Sequence, residues 1–101
     1  MASDLNLQSI IPILQQNDVE FAGVFGSRAR GDAREDSDLD LLIRFSKPKG
    51  FVKFIHLENE LSRILNVKVD LVTERSLKEY VRPRVLQDLR IIYGTKQAVS
   101  Q

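Results

Sequence analysis

Residues 38–45 read Asp-Leu-Asp-Leu-Leu-Ile-Arg-Phe, and that alternation constrains the fold more than any other stretch of the chain. A period of two separates two faces only in a strand. Leu39, Leu41 and Ile43 would then share one face, and Asp38 and Asp40 would project side by side from the other. Aspartate is depleted in strands. Two carboxylates on one face repel unless a cation lies between them. Mg²⁺ is the cation that oxygen ligands and phosphates share. The plain alternative is a solvated edge strand. Upstream, Val24-Phe25 leads into Gly26-Ser27. A lone Gly-Ser is only a turn, but this one follows a strand and precedes the aspartates. Glycine permits close backbone approach, and turn N–H groups with a serine hydroxyl suit phosphate oxygens. A metal site beside a phosphate cradle is the equipment for moving a phosphoryl or nucleotidyl group.

The rest of the chain supplies a frame for that unit. Leu7, Ile10, Ile11 and Leu14 have helical spacing, with Pro12 implying a kink or a helix that begins just before it. Strands are expected over 19–25, 38–45, 68–72 and 90–93. Ser27 to Gly31 reads as a short helical turn, 32–37 as a polar loop, 51–65 as a helix with Phe51, Phe54, Ile55, Leu61, Ile64 and Leu65 as its apolar face, and 84–89 as a last helix. Residues 95–101 are expected to fray. The unit from 38 to 72 can pair in parallel only through its helix. The expected architecture is α/β (α+β): a small mixed sheet with helices packed on one face and the carboxylates on the other. Asp70 lies in Val67-Lys68-Val69-Asp70-Leu71-Val72, where its parity matches that of Asp38 and Asp40; an ordinary half-exposed strand has the same pattern.

Composition narrows the chemistry. The chain has 101 residues, the size of one domain, so 1–101 is taken as a single unit. Fifteen basic and 14 acidic residues give a net charge of +1 and no global case for a nucleic-acid partner. No cysteine is present, which removes disulfides, thiol catalysis and Cys–zinc sites. No apolar run reaches the ~18 residues of a membrane span, and the N-terminus lacks a signal-like core. A cytoplasmic protein without a membrane partner is expected. Arg34, Glu35 and Asp36 read as a solvated loop, and Lys47 and Lys49 as turn lysines. Arg82 and Arg84 read as a solvated helix start, His56 as a half-buried surface histidine, and Tyr80 and Tyr93 as packing residues.

The string Gly26-Ser27-Arg28-Ala29-Arg30-Gly31, followed by Asp38-Leu39-Asp40, resembles the nucleotidyltransferase superfamily of DNA polymerase β and kanamycin nucleotidyltransferase. It is closer still to the minimal nucleotidyltransferases, short antitoxins often encoded beside a HEPN-domain ribonuclease toxin. The resemblance implies that Asp38, Asp40 and Asp70 are the catalytic, metal-binding carboxylates, with Asp70 as third ligand or as base. Two Mg²⁺ ions are implied, with ATP as substrate. Gly26 and Ser27, with Arg28 or Arg30, would hold the triphosphate; Arg28 is favoured. Gly31 would end the short helix. Such a core would use nearly all 101 residues, so the acceptor is expected to arrive on another protein. By resemblance that partner is a HEPN toxin, and the reaction is adenylylation of its tyrosine hydroxyl. Neutralisation by occlusion alone, or a stand-alone small-molecule nucleotidyltransferase subunit, are the alternatives.

Overall fold

The period-two pattern at residues 39–45 becomes an inner strand of a four-stranded sheet, in a computed structural model that describes residues 5–94. The strands are β1 (Val19–Phe25), β2 (Leu39–Phe45), β3 (Val69–Thr73) and β4 (Arg90–Tyr93), in the order β3-β2-β1-β4. β1 runs antiparallel to β2 and to β4, and β2 runs parallel to β3. A parallel neighbour requires a crossover, and α3 (Phe51–Leu65) provides it over the residues its apolar spacing marked. The fraying expected for 95–101 lies outside the described residues.

The N-terminal segment divides at its proline. Residues Leu7–Ile10 form a 3₁₀ turn, and α1 (Ile11–Gln16) then starts with Pro12 in its first turn. A proline there breaks no helical hydrogen bond. The short helix α2 (Ser27–Arg30) follows β1, and α4 (Arg82–Asp88) precedes β4. Pro83 again lies in a first turn, so α4 begins before Arg84.

The sheet has a large and a small apolar layer. Leu39, Leu41, Ile43, Val69, Leu71, Ala22 and Val24 pack against Leu57, Leu61 and Leu65 of α3, Ile10, Leu14 and Ala29 of α2. Each fully buried leucine in this layer contributes about 2 kcal/mol. On the opposite face, Phe21 and Leu42 are buried against Val85 of α4. The fold class is as expected, but the helices do not all share one face. Leu42 and Val72 follow Asp40 and Asp70 at the next position on that face, and the apolar patch they form is covered by Leu77, Val81 and α4.

Two details hold that second layer in place. β1 slips by one residue against β2, with Val19 opposite Phe45 and Phe21 opposite Arg44. A bulge of this kind sends residues two apart to opposite faces, so Val19 joins the large core and Phe21 the small one. Glu74 follows the last residue of β3 and is buried. Its carboxylate lies 3.6 Å from Arg44 and 3.7 Å from Arg82, while Arg82 Nη2 donates to its backbone carbonyl at 3.2 Å. A buried charge needs such partners, and these tie β2, β3 and α4 together.

Candidate active site

The site begins where β1 stops. Phe25 is the register partner of Asp40, so the turn after β1 is delivered to the Asp40 side chain. Gly26 has φ 77° and ψ −156°, a region essentially reserved for glycine. A β-carbon at Gly26 would collide with the Asp40 carboxylate. The turn backbone therefore rests against that carboxylate. The Gly26 carbonyl accepts the N–H groups of Ala29 at 3.1 Å and Arg30 at 3.0 Å. Those of Ser27 and Arg28 stand outside the helical ladder, as in any first turn. Gly31, with φ 87°, ends α2.

Asp40 and Asp70 are direct register partners in the parallel pair of β2 and β3. Both lie opposite the face that buries Leu39, Leu41, Val69 and Leu71. Asp38 sits one residue before β2, exposed, with its Oδ2 4.0 Å from Lys68 Nζ. Burial raises the Asp40 pKa, the charges of Asp70 and Asp38 raise it further, and only Arg30 opposes them. Excess negative charge collects at one point on a sheet face. This all-oxygen donor set fits a hard divalent cation such as Mg²⁺. Among the described residues no three carboxylates or histidines already stand together as a finished metal cage. Asp40 and Asp70 adjoin, whereas Asp38 is at the rim beside Lys68.

The two arginines of α2 have different surroundings. Arg28 donates from Nε and Nη2 to the Ser37 carbonyl, at 3.1 and 2.7 Å, and from Nη2 to the Glu35 carbonyl at 3.1 Å. It holds the loop that delivers Asp38, although sequence reasoning favoured it for the triphosphate. Arg30 pairs with Asp32 at 3.1 Å and with Asp88 of α4 at 2.8 Å. It also lines an open cleft of about 360 Å³ with Arg84, Gln87 and Asp88.

Asp88 and Lys68 were not singled out from the sequence. Asp88 lies 58 residues beyond Arg30, and no local spacing links them. The Lys68 position could have been found, since it precedes Val69 as Asp38 precedes Leu39 in a parallel register. Tyr80, expected to pack, is 82% exposed; Tyr93 does pack against the large core. His56 is exposed on α3 rather than half-buried. Lys49 pairs with Asp18 across the start of β1. No helix among the described residues is long and apolar enough to cross a membrane.

Comparison with known proteins gives the family and the fold. Residues 8–98 match the family described as polymerase beta, nucleotidyltransferase. The protein adenylyltransferase MntA of Thermococcus cleftensis is 46% identical over 67 residues, 66% of this chain and 68% of that protein. A Methanocaldococcus jannaschii relative, provisionally named a protein adenylyltransferase, is 36% identical over 81 residues, 80% of this chain and 87% of the relative. A crystal structure of a toxin–antitoxin with AMP-PNP superposes with a TM-score of 0.81 at 27% identity, covering 93% of this chain and 77% of the matched one.

Proposed function

This chain belongs to the polymerase β nucleotidyltransferase family, and from that premise we propose that it is a protein adenylyltransferase. It moves AMP from ATP to a tyrosine hydroxyl of a HEPN ribonuclease toxin and so acts as the antitoxin. One observation carries the reading: a Gly26-Ser27 turn pressed against Asp40, with Asp70 in register beside it. The relatives named as adenylyltransferases support the reaction type, and the toxin–antitoxin with AMP-PNP supports the nucleotide and the class of partner.

The chain's residues divide the work by position. The Gly26-Ser27 turn offers amides and a hydroxyl to the phosphate oxygens. Arg30 sits at the far end of α2, where exchanging Asp88 for a phosphate oxygen would hold the leaving end of the triphosphate. Asp38, Asp40 and Asp70 would hold Mg²⁺, which would supply positive charge against the triphosphate. The acceptor oxygen attacks the α-phosphorus in line, the bond to the β-phosphate oxygen breaks, and pyrophosphate leaves. Asp70, the more exposed of the adjoining pair, would take the hydroxyl proton where it acts as the base. Catalysis rests mainly on positioning and charge.

The test uses the neighbouring-gene toxin, ATP and Mg²⁺, with intact mass spectrometry of the toxin. The expected result is a mass gain of one or more AMP units. Asp38→Asn with Asp40→Asn should reduce it by at least ~100-fold, the scale of losing charge stabilisation at a reacting phosphate. A toxin that stays unmodified yet is inhibited would replace transfer by occlusion.

A further inference from the structure

Among the described residues β3 is an edge strand, with β2 on one side and no strand on the other. Alternate N–H groups of a strand point to opposite sides in the sheet plane. The N–H of Leu39 donates to the Lys68 carbonyl at 2.8 Å, which sets the inner side of the parallel pair. The N–H groups of Val69 and Leu71 therefore point outward, where a strand would normally receive them. Both find side chains of α3 instead. Ser62 Oγ accepts the Val69 N–H at 2.9 Å, and Glu58 Oε2 accepts the Leu71 N–H at 2.8 Å. Ser62 Oγ in turn donates to the Glu58 carbonyl at 2.9 Å, which orients it as an acceptor for Val69.

The match has a geometric basis. Residues four apart on a helix lie on one face, about 6 Å apart along its axis. Residues two apart on a strand are separated by about 6.6 Å. Glu58 and Ser62 thus present two acceptors at nearly the repeat of a missing strand. The two residues they grip flank Asp70 on each side. Asp70 itself is exposed, and no hydrogen bond or ion pair among the described residues restrains its carboxylate.

We propose that Glu58 and Ser62 are positioning residues for Asp70: by clamping the backbone on both sides of it, they hold its carboxylate level with Asp40. This rests on reading Asp70 as part of the metal-binding site. Without the clamp, an edge strand five residues long would keep β2 as its only backbone partner. The pair of carboxylates would then lose its fixed separation. Glutamine at position 58 keeps a carbonyl acceptor for the Leu71 N–H, whereas alanine removes it.

The experiment uses the full chain and Mn²⁺ as the probe, with free metal followed by electron paramagnetic resonance. Exchange of the Leu71 and Val69 amides is followed by NMR on metal-free samples of the same variants. Glu58→Ala should weaken Mn²⁺ binding roughly tenfold, the low end for a residue supporting a metal ligand, and should lose protection at the Leu71 amide. Glu58→Gln should restore both to near the parent values. Ser62→Ala should act the same way at Val69 with a smaller loss, and serves where Glu58→Ala does not fold. Asp70→Asn is the reference. If it weakens Mn²⁺ binding while folded Glu58→Ala and Ser62→Ala bind like the parent, the clamp is only an edge cover and the proposal is overturned. If Asp70→Asn itself binds Mn²⁺ like the parent, the assignment of Asp70 falls, and the proposal falls with it.

Discussion

On the helix side of β2, Leu39, Leu41 and Ile43 are sealed beneath α3; on the other side, Asp40, Leu42 and Arg44 run through three environments in succession. The first side has one task and one residue class. The second passes from a crowded carboxylate, through an apolar contact with Val85, to an arginine bound by Glu20 at 2.9 Å and by Glu74. The same backbone serves both because strand neighbours never share a face. Stability is concentrated on one side and charge on the other. A nucleotidyltransferase site can therefore carry repulsion that the layer behind it tolerates.

If that division is real, the largest effect on folding should come from the sealed side. Leu41→Ala removes a fully buried side chain from the large core. It should cost about 3 kcal/mol in urea unfolding. Mn²⁺ affinity of the molecules that remain folded should not change. A parallel loss of metal affinity would show that the two faces are coupled.

Gly26→Ala tests the junction between the faces. The new β-carbon meets the Asp40 carboxylate, and the backbone at φ 77° is strained for any other residue. A loss of about 2 kcal/mol is expected. Weaker ATP binding, read by calorimetry in Mg²⁺, should accompany it because Asp40 must move. Unchanged ATP affinity would separate the turn from the site.

The smallest effect sharpens the charged side. Burial, and then Asp70 and Asp38, raise the Asp40 pKa above its ordinary value of 3.8. The native state therefore keeps that proton to a higher pH than the unfolded chain does. Stability falls as pH rises from 3.8 through the raised native value. Asp40→Asn should be slightly more stable than the parent near neutral pH. The gap should close as pH falls towards the ordinary aspartate range. Urea melts across that range check the sign, and a variant that is less stable at neutral pH would contradict it.

Residues with local partners were readable in the sequence. The β2 alternation, the apolar spacing of α3 and the parity of Asp70 are short-range patterns, and each predicted element lies where the structure has it within a residue or two. Asp38 was expected inside the strand and lies just before it, because β2 pairing starts at Leu39. What could not be read depends on distant contacts. The slip at Glu20 arises from pairing with Phe45 and Arg44, and α4 lies on the carboxylate face because Phe21, Leu42 and Val85 come together. Arg28 carries a motif that suggests a phosphate, and its guanidinium also donates to the carbonyls of Glu35 and Ser37.

The side chains of Glu58 and Ser62 also make the sheet directional as a template for other chains. An exposed edge invites any extended segment to add itself as another strand. Along β3 the outward N–H groups of Val69 and Leu71 are already taken. Among the described residues the other margin of the sheet is β4, which β1 separates from β2 and which has no such pair of acceptors taking its N–H groups from a helix. A partner, a second copy or an aggregating neighbour that grows the sheet must do so away from Asp70. The carboxylate corner stays insulated from sheet extension and remains open to an acceptor approaching from its face.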